Sequence, residues 1–211
     1  MFSITSVLLL SGIALGAAPT AEFIAAQPVW LKGRETEMNV YAGFRAVVEE
    51  KAAAPVTVRI AAATLYRLYV NGEFVGHGPA RGPHGYYRVD EWQTLPWRED
   101  GKNVVAIEVA GYNANSFYVL DQPSFLQAEV VARETVLAAT GDAEHPFTGF
   151  ALPERVQKVQ RYSFQRPFME VWRLAPGYDA WRVDPEQCPD AAALAVVESK
   201  KFLPRGVPYP R

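Results

Sequence analysis

The sequence predicts an all-β fold, a jelly-roll-like (galactose-binding-like) antiparallel β-sandwich followed by an incomplete segment of strands and irregular structure. Apolar residues recur at every second position in several short stretches, and glycine, proline or asparagine residues separate these stretches. Few stretches have the spacing of an amphipathic helix. Short strands divided by turns are typical of two packed sheets.

The first predicted strands lie between residues 40 and 70. Val40–Val48 reads as one strand, whereas residues 23–34, with Pro28 and Trp30, have no clear periodicity and are predicted to pack as an extended arm. From residue 56 to residue 70 the alternate apolar residues share one parity, which places them on one face of a strand that bends near the alanines. These residues are Val56, Val58, Ile60, Ala62, Tyr66, Leu68 and Val70.

Two hairpins and one central strand follow. Asn71 and Gly72 separate apolar alternating segments, and both residue types tolerate the positive φ that a type I′ turn requires. Phe125–Ala132 and Thr135–Ala139 are predicted to pair through a turn at residues 133–134. Residues 104–109 are almost continuously apolar, which predicts a strand buried on both faces.

The chain is predicted to divide after residue 140. Residues 19–140 form the predicted sandwich domain, a polar break follows at residues 141–146, and residues 141–211 form a second, partial β segment with a proline-rich linker. Within this segment residues 156–164 and 169–174 are candidate strands, residues 191–197 are a strand or a short helical turn, and residues 204–211 are the linker.

Residues 1–18 resemble a signal peptide. The apolar run at residues 7–15 is too short to span a bilayer and precedes Gly16, Ala17 and Ala18, small residues typical of a cleavage site. The positively charged start of such peptides is missing, which leaves a wrongly assigned start codon as an alternative. We expect a secreted or periplasmic protein.

Composition and charge narrow the classes of function. The chain is 49% hydrophobic and 12% aromatic, enough to bury a core, and its formal net charge of -2 offers no basic stripe for nucleic acid. The single cysteine excludes an intramolecular disulfide, and three scattered histidines and no acidic loop of the D-x-D-x-D type argue against a metal site. No cofactor is expected.

A candidate carbohydrate-binding site lies in the loop at residues 76–92 and on a turn near residue 115. Aromatic faces cover the C–H patches of a pyranose while amide and guanidinium groups bind its hydroxyls. The alternative is that these residues have a structural role. The aromatic residues at the strand entry would then pack in the core, Arg81 would bond to Asp90 or Asp121, and His84 would cap a turn. The candidate residues are Arg81, His84, Tyr86, Tyr87, Trp92, Asn113, Asn115 and Tyr118.

No catalytic residues are identified. Hydrolysis of a glycoside requires two carboxyl groups separated by roughly 5 to 10 Å. The acidic pairs at residues 49–50, 90–91 and 99–100 are adjacent in sequence, so on a strand their side chains point to opposite faces. The sequence also has no G-x-S-x-G elbow, P-loop or H-E-x-x-H motif.

Residues 66–130 resemble the amino-terminal β-sandwich of bacterial α-L-rhamnosidases. The matching pieces are YVNG, GPARGPHGYYRVDEW, GKNVVAIEVAGYN and NSFYVLDQPSFLQAEV. The first and third pieces recur in accessory sandwiches of other glycoside hydrolases, whereas GPARGPHGYY followed by LDQPSFLQAEV is more specific.

This resemblance implies a part of a multidomain enzyme. In that family sandwich domains precede a large (α/α) barrel that carries the catalytic carboxylates, and no barrel is present in this chain. We therefore expect a non-catalytic accessory domain that supports or positions the catalytic domain on rhamnose-containing glycans. A free-standing carbohydrate-binding module and a purely structural domain are the alternatives, and a surface that docks onto the catalytic domain is a third use of the candidate site.

Overall fold

The computed structural model describes residues 22–49, 55–93, 95–98 and 101–209, so the predicted signal peptide lies outside the described residues. Two sheets pack face to face, which confirms the predicted β-sandwich. Among the described residues, no helix is long and apolar enough to cross a membrane. The strands are β1 (Val29–Leu31), β2 (Val40–Val48), β3 (Val56–Ala63), β4 (Leu65–Val70), β5 (Glu73–Gly78), β6 (Tyr86–Trp92), β7 (Asn103–Gly111), β8 (Phe125–Ala132), β9 (Thr135–Ala139), β10 (Thr148–Ala151), β11 (Leu194–Val196) and β12 (Lys201–Pro204).

The larger sheet has the order β11-β1-β8-β3-β6-β12, and β9 also pairs with β8. All its pairs are antiparallel except β6 and β12, which run parallel, with Tyr86 opposite Lys201 and Val89 opposite Pro204. The predicted antiparallel pattern therefore has one exception. β6 and β12 lie far apart in sequence, so no tight turn imposes an antiparallel arrangement on them.

The smaller sheet has the order β10-β2-β7-β4-β5. Its central strand, β7, is buried at every residue, as the apolar run predicts. Val105, Ile107 and Val109 point into the core between the sheets, while Val104 and Ala106 pack on its outer face beneath Phe150, Leu152 and Trp181. A strand covered on both sides has no solvent-facing set of positions, which explains the loss of alternation.

Both predicted hairpins are confirmed. Asn71 and Gly72 have φ angles of 52° and 83°, and Val70 pairs with Glu73 across the turn. Arg133, with a φ of 57°, turns the chain between β8 and β9, where Ala132 pairs with Thr135. These turns are local, so the residue types at their centres are sufficient to predict them.

The chain passes from one sheet to the other between β3 and β4. Ala63 pairs with Phe125 of the larger sheet, whereas Leu65 pairs with Ala110 of the smaller sheet. The alternate residues on both sides of Thr64 still point into the same core, as their shared parity predicts.

The predicted extended arm contains a short strand. Trp30 in β1 is fully buried and packs against Phe44 with 5.9 Å between ring centroids. β1 pairs with β8 and with β11. Three residues are too few for alternation to be visible in the sequence, so only the long-range pairing reveals the strand.

The two candidate strands at residues 156–164 and 169–174 are not strands. Two isolated bridges, Arg155 with Trp172 and Arg161 with Phe168, join the two halves of this segment. Pro167 between them has no amide hydrogen for a ladder. Of the two alternatives for residues 191–197, the structure has the strand, β11.

The described part of the predicted linker, residues 204–209, is bonded to the larger sheet. β12 lies beside β6, the Arg205 guanidinium lies 2.7 Å from the Asp90 carboxylate, and the Tyr209 hydroxyl donates to the carbonyl oxygen of Glu91. β10, β11 and β12 all pair with strands from the first 140 residues. The predicted division after residue 140 therefore falls within the hydrogen-bonded sheets.

Candidate carbohydrate-binding site

A cleft of about 900 Å³ opens between the loop that joins β5 to β6 and two later segments, residues 118–122 and 162–169. Six aromatic rings line it, with three guanidinium groups and two imidazoles. The aromatic and basic residues are Tyr86, Tyr87, Tyr112, Tyr118, Tyr162, Phe168, Arg81, Arg88, Arg166, His77 and His84.

The β5–β6 loop forms the first wall of the cleft. The Tyr86 amide donates to the Pro83 carbonyl oxygen at 3.1 Å, which closes a turn around Gly85, whose φ is +78°. The Arg88 side chain donates to the carbonyl oxygen of Arg81 at 3.3 Å. These hydrogen bonds fix the conformation of the loop that carries the exposed Arg81 and His84.

The opposite wall consists of two segments joined by Arg161. Its guanidinium donates to the carbonyl oxygens of Asn115 at 2.6 Å and Phe164 at 2.8 Å. The Phe117 amide also donates to the Gln165 carbonyl oxygen at 3.1 Å. Residues distant in sequence thus form one continuous surface.

The lining can bind hydroxyl groups and apolar ring faces, but it has no carboxyl group among the described residues. Tyr87 is partly buried against Phe125, with 4.7 Å between ring centroids, and burial raises the pKa of its hydroxyl. Tyr87 therefore stays a neutral hydrogen-bond donor over the physiological range. Aromatic rings and guanidinium donors around a concave surface fit a sugar ligand.

Five of the eight predicted residues line this cleft: Arg81, His84, Tyr86, Tyr87 and Tyr118. Trp92 lies in the core, where its indole N–H donates to the Tyr66 hydroxyl at 2.9 Å and its ring packs on Tyr209. Trp92 follows Tyr87 by an odd number of residues on one strand, so the two rings occupy opposite faces of β6.

The two asparagines hold the turn and do not line the cleft. The Asn113 amide donates to the carbonyl oxygens of Glu35 and Glu37 and, at 2.7 Å, to the Ser124 hydroxyl. The Asn115 side-chain oxygen accepts from the Asp121 amide at 2.9 Å. These hydrogen bonds fix the turn that precedes the second wall of the cleft.

Asp90 binds a different arginine from the one considered in the sequence analysis. Its carboxylate accepts hydrogen bonds from the Tyr66 hydroxyl and from Arg205, and not from Arg81. Burial raises the pKa of Asp90, while these hydrogen bonds and the Arg205 charge oppose the rise. Asp90 is fully buried and its neighbour Glu91 is exposed, as their opposite directions on a strand predict.

A smaller pocket of about 250 Å³ adjoins the cleft on the outer face of the smaller sheet. Leu65, His77 and Tyr112 line both cavities. The small pocket contains Glu108, which sequence analysis missed although it is the one charged residue within the apolar run of residues 104–109. A charge in a strand predicted to be buried on both faces is a signal for a special environment.

Three arginines surround Glu108. The nearest nitrogen of Arg182 lies 3.5 Å, that of Arg155 3.7 Å and that of Arg67 3.9 Å from its carboxylate oxygens. The Arg155 guanidinium lies between the rings of Tyr41 and Trp172, 3.7 and 3.8 Å from their centroids. In the part of the chain that the structure describes, no group of three or more His, Cys, Asp or Glu side chains is placed to hold a metal ion.

Comparison with solved structures finds α-L-rhamnosidases. The GH78 family rhamnosidase of Bacillus sp. GL1 is 26% identical over 87% of this chain, with a TM-score of 0.76. The α-L-rhamnosidase of Dictyoglomus thermophilum is 16% identical over 88% of the chain, with a TM-score of 0.62. That of Streptomyces avermitilis, solved with L-rhamnose, is 15% identical over 81%, with a TM-score of 0.50.

The predicted resemblance to rhamnosidases is confirmed. No protein-family model and no curated protein matches the sequence. The chain covers 20%, 22% and 14% of the lengths of the three enzymes, so it corresponds to a fraction of each. The shared part has the β-sandwich architecture described above.

Proposed function

We propose that this chain is a non-catalytic accessory β-sandwich of an exported α-L-rhamnosidase-like glycoside hydrolase, which binds rhamnose-containing glycans in the cleft beside a catalytic domain. The observation that carries this proposal is the likeness to the Bacillus enzyme, at 26% identity and a TM-score of 0.76 over 87% of the chain. The other features of the cleft support it.

The cleft has the chemistry of binding and not of cleavage. Glycoside hydrolases act through two carboxyl groups that flank the bond to be cleaved. The lining of the cleft offers tyrosine rings and arginine and histidine side chains instead. A glycan there would stack on the rings and accept hydrogen bonds from Arg81 and Arg166.

An apolar surface next to the cleft supports a second role, in contact with a catalytic domain. Phe117, Tyr162 and Phe164 are 69%, 78% and 71% exposed, and Phe117 packs edge-on against Phe164. Clustered exposed aromatic rings mark interaction surfaces. We assign this surface to docking of the catalytic domain, which would hold the cleft in a constant position relative to the reacting bond.

The first test is a titration of the ¹⁵N-labelled chain with a rhamnose-terminated oligosaccharide, followed by NMR. Tyr118→Ala removes an exposed ring and should weaken binding about tenfold, since such a ring contributes about 1.4 kcal/mol. Leu174→Ala, which removes an exposed apolar side chain outside both the cleft and the smaller pocket, is the matched control and should leave the amides of the cleft shifting as in the native chain.

The outcomes separate the proposal from its alternatives. Binding lost with Tyr118→Ala supports a glycan-binding sandwich, and binding that Tyr118→Ala leaves unchanged would place the sugar elsewhere. No binding by the chain would favour a purely structural domain. Release of the aglycone from a chromogenic α-L-rhamnoside by the chain would contradict the non-catalytic assignment.

A further inference from the structure

The strongest unexplained feature of the molecule is the carboxylate of Glu108. Its side chain is 3% exposed, and neither of its oxygens has a hydrogen-bond partner. A buried carboxylate without hydrogen bonds is costly, so such groups in folded proteins need an explanation. The side chain lines the small pocket beside the cleft.

The charge of Glu108 is offset, but its lone pairs are free. Arg182, Arg155 and Arg67 lie 3.5, 3.7 and 3.9 Å away, within ion-pair distance but without hydrogen-bond geometry. Arg155 and Arg67 also face Glu170, at 3.0 and 3.9 Å. The carboxylate therefore requires hydrogen-bond donors and does not require a further positive charge.

This balance selects the charge of the ligand. The pocket is lined by two guanidinium groups, of Arg67 and Arg155, and by two carboxylates, of Glu108 and Glu170, so a cation would approach the first pair and an anion the second. A neutral molecule with several hydroxyl groups avoids both penalties and can donate to Glu108. Phe74, Leu65 and Tyr112 add apolar surface to the same walls.

The size and position of the pocket define the ligand further. A volume of about 250 Å³ has room for one sugar ring and not for a chain of them. The pocket shares Leu65, His77 and Tyr112 with the cleft, so a terminal sugar could enter it while the remaining glycan stays in the cleft.

We propose that the pocket over Glu108 binds one neutral pyranose residue, the terminal sugar of a glycan held in the adjoining cleft, through hydroxyl groups that donate to the Glu108 carboxylate. This inference rests on the proposed function, because it takes the cleft to be the glycan-binding surface. It adds a separate subsite with its own recognition residue.

The test is an NMR titration of the ¹⁵N-labelled chain with L-rhamnose, with D-galacturonate as the anionic and D-glucosamine as the cationic probe. L-Rhamnose should shift the amides of Leu65 and Arg67 and of the β7 residues around Glu108, and it should bind at least about tenfold more tightly than either charged sugar. Equal affinity for the three probes would overturn the neutral site.

Three variants locate the sugar. Glu108→Gln should weaken L-rhamnose binding at least about tenfold, because hydrogen bonds to a charged acceptor are the strong ones. Phe74→Ala removes a wall that belongs to the pocket and not to the cleft, and it should weaken binding about threefold without unfolding the chain. Tyr118→Ala changes the cleft alone and should leave the affinity for the monosaccharide within about twofold.

Failure of this inference differs from failure of the proposed function. If the oligosaccharide binds and depends on Tyr118, but neither Glu108→Gln nor Phe74→Ala affects any sugar, the subsite is overturned and the cleft remains. If L-rhamnose binding depends on Glu108 and Phe74 while Tyr118→Ala leaves oligosaccharide binding unchanged, the subsite is supported and the cleft assignment is overturned. If no sugar binds, both are overturned.

Discussion

Two glutamates lie on central strands of opposite sheets, and their carboxylates have contrasting surroundings. Glu129 in β8 is fully buried and accepts hydrogen bonds from the amides of Ile24, Ala25 and Ala26 and from Arg59 at 3.0 Å. Glu108 in β7 is 3% exposed and accepts no hydrogen bond.

The contrast shows how one residue type serves two purposes in one sandwich. Glu129 fastens an arm of the chain to the larger sheet, because three backbone amides and a guanidinium satisfy its oxygens. The arginines around Glu108 offset its charge and leave its oxygens without a hydrogen bond. A fully bonded carboxylate indicates structure, whereas an unbonded one that lines a pocket indicates recognition.

The largest expected effect is a difference in stability between Glu129→Gln and Glu108→Gln. Glu129→Gln should lower the free energy of unfolding by about 3 kcal/mol, because the amide cannot replace an oxygen that accepts from three N–H groups. Glu108→Gln should cost less, about 1.5 kcal/mol, because no hydrogen bond is lost although the arginines around it lose part of the negative charge that they face. Urea denaturation measures both values.

Hydrogen exchange provides a control for this pair. The amides of residues 24–26 should exchange faster in Glu129→Gln and at the native rate in Glu108→Gln. Equal losses of stability in the two variants would show that Glu108 is as structural as Glu129 and would break the comparison.

Arg155 tests how the charge of Glu108 is offset. Arg155→Met keeps an apolar contact between Tyr41 and Trp172 but removes one guanidinium that faces Glu108 and Glu170. We expect a loss of about 2 kcal/mol, since Arg67 and Arg182 remain. The exposed Arg166→Met is the control and should change the stability by less than about 0.5 kcal/mol.

A gain of stability in Arg155→Met would have a different meaning. It would show that the arginines around Glu108 destabilise the fold in exchange for a polar pocket, as some buried ion pairs do. Thermal unfolding of the double variant with Glu108→Gln would then reveal the coupling between the two residues.

Asp90 is a third buried acidic residue. Its expected effect, a dependence of the stability on pH, is the smallest of the three. Burial raises the pKa of its carboxyl group above the ordinary value, even though Tyr66 and Arg205 donate to it. A raised pKa favours the protonated form in the folded state. The contribution of Asp90 to stability is therefore present at acidic pH, below the ordinary pKa, and is lost as the pH rises through the raised pKa.

Asp90→Asn removes this titration. The stability of the native chain relative to Asp90→Asn should decrease, on the order of 1 kcal/mol, as the pH rises through this window. Urea denaturation at several pH values checks the slope, and a carbon-13 NMR titration of the carboxyl group checks the pKa. A midpoint at or below the ordinary value would contradict the assignment of burial as the dominant influence.

The sequence predicted the features that depend on neighbouring residues. Asn71 and Gly72 specify their turn because both accept a positive φ, and the parity of Val58, Ile60 and Leu68 places them in one core because side chains alternate on a strand. The loop with Arg81 and Tyr86 was recognisable as a candidate site from its composition alone.

Features that depend on contacts between distant residues were not predictable in this way. Trp92 and Tyr87 are both aromatic, and only the pairing of β6 decides that one faces the core and the other the cleft. β12 was not predicted, because four residues carry too little periodicity to specify a strand before its partner is known.

Local conformational preference and the two-residue period of strands therefore determined the β-sandwich, its hairpins and its buried central strand from the sequence. The tertiary structure alone decided which residues after 140 complete the two sheets, which aromatic rings line the cleft, and which glutamate keeps its oxygens free. The physical reason is that the burial and the hydrogen bonds of a residue depend on neighbours that lie tens of positions or more away in the sequence. The ion pairs of Asp90 with Arg205 and of Glu108 with Arg155 are examples.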